Sequence, residues 1–87
     1  MARTSVFPGF GEMGDRRREL VNDLVQIRQR LGLSQTEVAA RMGTSQSALA
    51  RLEAGEADVR LSTLQRYAAA VGRDLQWRMT PRKEAQP

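Results

Sequence analysis

Apolar residues recur every three or four positions from about residue 20 to residue 71, which is the spacing of one buried face of an α-helix. The first such series consists of Leu20, Leu24, Ile27 and Leu31. It predicts a helix over residues 15–31 that ends at Gly32, because glycine readily adopts the left-handed conformation of a helix end. Residues 1–14 contain one proline and three glycines, and we expect a flexible tail there.

Two short helices are predicted after Gly32, and both have specific start and stop signals. Ser34 and Glu37 form a capping box, in which each side chain accepts a hydrogen bond from the other residue's backbone amide. Gly43 follows the last apolar residue of this helix and is expected to end it. Either Ser45 or Thr44 then caps the next helix.

The third predicted helix has Ala48, Leu49 and Leu52 on its inner side. Only about three residues separate it from the second helix, so the two helices must cross steeply. This arrangement is a helix-turn-helix. A fourth helix follows, which Gly72 ends and in which Tyr67 is expected to lie in the core with its hydroxyl group at the surface.

Residues 73–80 change to a period of two, in which Leu75, Trp77 and Met79 alternate with polar residues. A lone strand leaves its backbone unpaired, so we predict a two-stranded ribbon with a second copy of the chain. The three apolar side chains would then form the dimer interface. The alternative is that Leu75 and Trp77 fold back on the first and fourth helices of the same chain. Residues 81–87, which begin with Pro81, are expected to be a flexible, solvated tail.

A chain of 87 residues has room for one domain with one small core. The predicted fold is therefore an all-α, compact four-helix domain over residues 15–72. The chain lacks cysteine and histidine, which removes disulfides, the usual metal ligands and the usual general bases. We expect no metal, no cofactor and no enzymatic activity. Neither a long apolar run nor a signal-peptide pattern occurs, so we expect a cytoplasmic protein without a membrane association.

The formal net charge is +4, and 13 of the 14 basic residues are arginine. The planar guanidinium group suits phosphates and guanine edges better than the ammonium group of lysine does. A G+C-rich genome would also produce many arginines. Their placement is therefore more informative than their number.

Gln35, Ala39, Gly43, Leu49 and Leu52 have the order and spacing of the helix-turn-helix in the lambda repressor and Cro (XRE) family, which this chain resembles. The resemblance extends from about residue 20 to residue 72. It implies a lambda-repressor-like helix-turn-helix fold and binding to double-stranded DNA.

The outward face of the third helix is predicted to contact bases in the major groove through Gln46, Ser47, Ala50 and Arg51. Gln46 has the amide pair that matches adenine, and Arg51 has the fork that matches guanine. Ala50 suits a thymine methyl group, and Ser47 suits a base or a phosphate.

Four residues are predicted to contact DNA phosphates: Gln35, Arg41, Thr44 and Arg60. Gln35 begins the second helix, whose exposed amides attract phosphate, and the resemblance implies the same role. The loop after the third helix carries acidic residues at positions 56 and 58, where such repressors often have basic ones. Either this loop tilts away from the DNA, or binding depends more on base contacts.

Arg28 and Glu53 interrupt the apolar inner edges of the first and third helices. We expect them to form a structural ion pair, which the family resemblance also implies.

Two functions fit these observations. The first is a sequence-specific transcriptional regulator, expected to be a repressor, that binds a palindromic operator as a homodimer. The alternative is an antitoxin-type protein that binds and neutralises a partner protein and represses its own operon. In either case, the N-terminal tail could place Arg3 in a minor groove or form a strand through Val6 and Phe7.

Overall fold

The computed structural model describes residues 10–56, 58–77 and 79. Its four helices are α1 (Phe10–Arg30), α2 (Gln35–Met42), α3 (Gln46–Glu53) and α4 (Leu61–Ala70). No strand occurs among the described residues, and the all-α four-helix prediction is confirmed for this part of the chain. Residues 1–9 of the tail predicted at residues 1–14 lie outside the described part, and so does the tail predicted at residues 81–87.

The first helix starts earlier than predicted, at Phe10 rather than Asp15. Residues 10–14 therefore belong to α1 and not to a tail. Their two glycines lower helix propensity by roughly 1 kcal/mol each relative to alanine, but they do not block the helical backbone as proline would. Leu31, predicted on the buried face, is 55% exposed because α1 has already ended at Arg30.

The capping box at the start of α2 is confirmed. The Glu37 amide donates to Ser34 Oγ at 3.0 Å, and the Ser34 amide donates to Glu37 Oε1 at 2.8 Å. Gly43 ends α2 with a φ of 74°, in the left-handed region where glycine is unstrained. Ser45, and not Thr44, caps α3 by accepting from the Ala48 amide at 3.1 Å.

The core lies where the four helices meet. Its largest fully buried side chains come from α2, α3 and α4, and are Val38, Leu49, Leu64 and Tyr67. α1 contributes Val21 and Leu24 and packs against α3 and α4. α2 also packs against α3 and α4. The inner side of α3 is therefore covered by both α1 and α2, and its outer side faces solvent.

The segment after α4 does not form the predicted strand in the described residues 73–77 and 79. A strand needs a second strand to pair with its backbone, and the described residues, which are helical or irregular, supply none. Leu75 instead packs against the core, and Trp77 lies beside Arg16, Leu61 and other residues of α1 and α4. The monomer thus has the folded-back arrangement that was the alternative prediction, with Trp77 44% and Met79 99% exposed.

Candidate nucleic-acid interface

The outer face of α3 carries the four side chains predicted to contact bases. Gln46, Ser47 and Arg51 are exposed, and Ala50 is half-buried. Leu49, on the inner side of the same helix, is fully buried. The exposed face therefore combines forked polar groups with small side chains, a shape that can enter a major groove about 12 Å wide.

Further residues of the predicted interface line one cleft beside α3. Thr44 and Arg60, both predicted to contact phosphates, line this cleft together with Arg51. Arg66 of α4 and the acidic Asp58 also line it. Three guanidinium groups around one cleft favour a polyanionic ligand, and the Asp58 carboxylate offsets part of their charge.

Two arginines bind carbonyl groups at the C-terminal ends of helices. Arg66 Nη1 donates to the Met42 carbonyl at 3.1 Å, and Arg41 Nη1 donates to the Ala70 carbonyl at 2.8 Å. A cation is favourable there because it faces the negative end of the helix dipole. Sequence reasoning missed Arg66, since its position next to α2 depends on the tertiary fold. Among the described residues, the Arg41 side chain donates a hydrogen bond only to the Ala70 carbonyl, which leaves four of its five N–H groups for a phosphate; that role stays a prediction.

Gln35 and Gln46 are the first residues of α2 and α3, and their side chains are hydrogen-bonded. Gln46 Nε2 donates to Gln35 Oε1 at 2.7 Å, and Gln35 Nε2 donates to Glu53 Oε1 at 2.9 Å. A residue predicted to hold a phosphate and a residue predicted to read a base are therefore one connected unit. The sequence did not indicate this contact.

The Glu53 carboxylate lies at the centre of a hydrogen-bond network. Oε2 accepts from Arg28 Nε at 2.9 Å and from the Tyr67 hydroxyl at 2.6 Å. Oε1 accepts from Arg28 Nη2 at 3.0 Å and from Gln35 Nε2 at 2.9 Å. Arg28 Nη1 also donates to the Leu33 carbonyl at 2.8 Å. The structure thus brings together the predicted ion pair and adds two partners that the sequence did not predict.

Tyr67 differs most from its predicted environment. Its side chain is in the core as expected, but its hydroxyl donates to Glu53 and does not reach the surface. Its position at helical spacing from Leu64 and Val71 predicted burial of the ring. No local pattern could predict a carboxylate from α3 beside the hydroxyl.

The network shifts the pKa values of both its acidic members. Burial tends to raise the pKa of Glu53, but hydrogen bonds from Arg28, Tyr67 and Gln35 outweigh it and leave that pKa below its usual value. Burial, reinforced by the neighbouring Glu53 charge, raises the pKa of Tyr67 well above its usual value. Glu53 is therefore ionised and Tyr67 neutral at neutral pH.

The free energy of unfolding should fall at both ends of the pH scale. The Glu53 contribution is fully present above the ordinary glutamate pKa of about 4.3, and is lost as the pH falls through the lowered folded value. The Tyr67 contribution is fully present below about pH 10, and is lost as the pH rises towards the raised folded value. Urea unfolding from pH 2 to pH 11 measures both limbs. Tyr67→Phe should reduce the decrease in the free energy of unfolding at alkaline pH. If that decrease were unchanged in Tyr67→Phe, it would come from other groups.

Neither a metal-binding cluster nor a helix that could span a membrane occurs within the described part of the chain.

Comparisons with known proteins agree with this geometry. The family model described as Helix-turn-helix matches residues 24–78. Antitoxin HigA1 of Mycobacterium tuberculosis strain H37Rv is 45% identical over 65 residues, which are 75% of this chain and 44% of the relative. Putative antitoxin HigA3 of the same strain is 46% identical over 55 residues, which are 61% and 50% of the two chains.

An uncharacterized HTH-type transcriptional regulator of Haemophilus influenzae is 36% identical over 56 residues, which are 64% of this chain and 57% of the relative. The chain thus spans about half the length of the curated relatives it matches. The matched region contains α2, α3 and α4 and the end of α1. The chain therefore belongs to the XRE/Cro-like helix-turn-helix family of DNA-binding proteins, which is not a family of enzymes.

Proposed function

We propose that this protein is an antitoxin-type repressor, which binds the operator of its own operon and also holds a partner protein. The main support for DNA binding is the exposed polar face of α3, which lies on the same helix as the fully buried Leu49. The partner-binding half is supported by the similarity to HigA1 and HigA3, whose names identify them as antitoxins. The protein would act in the cytoplasm, associated with the nucleoid through DNA binding.

In the proposed complex, α3 lies in the major groove. Gln46 pairs with N6 and N7 of adenine, and Arg51 pairs with O6 and N7 of guanine. Ala50 contacts a thymine methyl group, and Ser47 bonds a base or a phosphate. The phosphate contacts come from Gln35, Arg41, Thr44 and Arg60, which fix the register of the helix on the duplex.

We further propose that the protein binds as a homodimer through its C-terminal segment. Trp77 and Met79 expose apolar surface in the monomer, which pairing with a second copy would bury. Residues 73–80 would form a strand only in this dimer, with Leu75 shared between the core and the interface. The two copies of α3 would then bind half-sites whose centres are roughly 10 bp apart.

The test of DNA binding is selection of binding sites from random duplex DNA by the purified protein at about 150 mM salt. Enrichment of a twofold-symmetric motif with half-sites near 10 bp apart would support a dimeric repressor. Lack of enrichment would mean that the fold serves chiefly to hold another protein. The test of the antitoxin role is expression of the neighbouring gene, which should arrest growth alone and be harmless together with this protein.

Arg51→Ala and Arg60→Ala should weaken DNA binding in different ways. Arg51→Ala should cost about 1 to 3 kcal/mol and relax the preference at one base position of each half-site. Arg60→Ala should weaken binding to all sequences alike and lower the slope of log affinity against log salt by about one. Binding to a panel of mutated operators at several salt concentrations measures both effects. Identical behaviour of the two variants would contradict the division into base and phosphate contacts.

A further inference from the structure

Three polar residues of the fourth helix face the cleft beside α3. Arg60 comes directly before α4, and Thr63 and Arg66 follow at intervals of three, which places all three on one side of the helix. They line the cleft together with Arg51 of α3 and Thr44 of the turn before it. One wall of the cleft is therefore formed by α4, and the other by α3 and its turn.

Arg66 is anchored where the cleft reaches α2. Its Nη1 donates at 3.1 Å to the carbonyl of Met42, the last residue of α2, which also lines the cleft. The last carbonyl groups of a helix have no partner within it, and they face the negative end of its dipole. This bond therefore holds the guanidinium group beside the turn that joins α2 to α3.

Most donors of Arg66 are left for a ligand. A guanidinium group has five N–H groups and stays charged throughout the pH range in which proteins fold. Arg66 is exposed, and the bond to Met42 is the one hydrogen bond of its side chain within the described part of the chain. The Asp58 carboxylate lines the same cleft but does not pair with Arg66 there. An anion from outside the chain can therefore bind to the four remaining N–H groups.

The groups around this position fit a phosphodiester. The planar fork of arginine matches two oxygens of a phosphate, and the hydroxyl groups of Thr44 and Thr63 line the cleft as additional donors. Arg51 lies at the same cleft, and in the proposed complex it reaches a guanine in the major groove. A phosphate at Arg66 would therefore belong to the DNA strand that borders the groove occupied by α3.

We propose that Arg66 binds a phosphate of this strand while it stays bonded to the Met42 carbonyl, and so ties the turn of the helix-turn-helix to the DNA backbone. α3 begins at Gln46, only four residues after Met42, so a fixed turn sets the register in which α3 enters the groove. The proposal rests on the proposed function. It adds a contact from within α4, to which the sequence pattern assigned only core residues.

A purely structural role for Arg66 leads to a different expectation. If the guanidinium group only stabilised the end of α2, its removal would lower the free energy of unfolding and leave the salt dependence of DNA binding unchanged. A phosphate contact instead contributes about 0.9 to the slope of log affinity against log salt, because each neutralised phosphate releases counterions. The slope therefore separates the two roles.

Two substitutions of Arg66 separate its charge from its shape. Arg66→Gln removes the charge and should weaken binding to the operator and to unrelated duplex DNA alike, by about tenfold at about 150 mM salt. It should lower the slope by about one and leave the base preference unchanged. Arg66→Lys keeps the charge but lacks the fork that bonds the carbonyl and the phosphate together, so it should keep the slope and bind with intermediate affinity.

Arg73→Gln is the matched control. Arg73 is exposed just after α4 and lies outside the cleft, so this change removes the same charge without the contact and should leave the slope nearly unchanged. Fluorescence anisotropy of a labelled duplex at several salt concentrations measures affinity and slope. Urea unfolding verifies that each variant is folded.

A second measurement locates the phosphate. Each phosphate of the operator is replaced in turn by a neutral methylphosphonate, and binding of the wild type and of Arg66→Gln is compared. One replacement should weaken wild-type binding by about tenfold and hardly affect Arg66→Gln, because the two changes remove the same contact. Should Arg66→Gln fail to fold, Arg66→Lys takes its place, and the same replacement should cost it less than it costs the wild type.

The inference would be overturned by an unchanged slope in Arg66→Gln, by an equal fall of the slope in Arg73→Gln, or by the lack of any phosphate that the wild type needs more than the Arg66 variants do. A wild-type protein that binds no duplex DNA would instead overturn the proposed function. The two failures are therefore distinguishable in one set of titrations.

Discussion

Glu53→Ala is expected to reduce the free energy of unfolding by about 3 to 5 kcal/mol. The substitution removes a carboxylate that is 8% exposed and leaves the Arg28 guanidinium, 11% exposed, without its counter-charge. It also deprives the buried Tyr67 hydroxyl and the Gln35 amide of their acceptor. A domain of this size has a total stability of only about 5 to 15 kcal/mol, so the variant should be partly unfolded at 37 °C and bind DNA weakly.

Urea unfolding followed by far-UV circular dichroism measures this loss. Glu56→Ala is the matched control, because Glu56 is exposed just beyond α3 and the same change should cost less than about 0.5 kcal/mol. Coincident curves for the two variants would show that the carboxylate network contributes nothing to stability. Glu53→Gln should fall between them, because its amide oxygen still accepts from Arg28.

Features that depend on near neighbours in the chain could be predicted from the sequence. The Ser34–Glu37 capping box joins residues three positions apart, so its geometry follows as soon as a helix begins there. Gly43 ended α2 where predicted, because a residue with positive φ is needed after the last helical turn. These local signals, with the apolar spacing, were enough to predict the helix-turn-helix.

Features that depend on distant residues were predicted less well. The ion pair between Arg28 and Glu53 was expected because each interrupts an apolar face, but their shared partners Gln35 and Tyr67 were not. An amide or a hydroxyl gives no sign in the sequence of which acceptor it will meet. Only the packed arrangement of four helices brings these groups to one carboxylate.

The C-terminal segment shows a second limit of the sequence pattern. Alternation of Leu75, Trp77 and Met79 predicts a strand, but a strand also needs a partner, and periodicity says nothing about its presence. In the monomer, Leu75 packs on the core, and residues 73–77 have no regular structure. The pattern therefore predicts a strand for a dimer, in which a second copy supplies the pairing backbone.

Leu49→Ala is expected to reduce the free energy of unfolding by about 2 to 5 kcal/mol, because Leu49 is fully buried and its truncation leaves a cavity. Leu49 is the only residue of α3 that lies fully within the buried core. Leu52 packs against that core and is only partly buried. The cavity should therefore loosen α3 in particular. Leu61→Ala is the matched control, since Leu61 is 39% exposed and the same change should cost about 1 kcal/mol or less.

The DNA affinity of Leu49→Ala then separates folding from recognition. Leu49 lies on the side of α3 opposite the base-contacting residues, so this variant should bind DNA weakly only to the extent that it is unfolded. An osmolyte such as trimethylamine N-oxide, which favours the compact state, should restore its binding and its sequence preference. The osmolyte should not restore the preference of Arg51→Ala, which lacks the contact itself. If Leu49→Ala stayed unable to bind when fully refolded, the buried face of α3 would have a part in recognition beyond holding the helix in place.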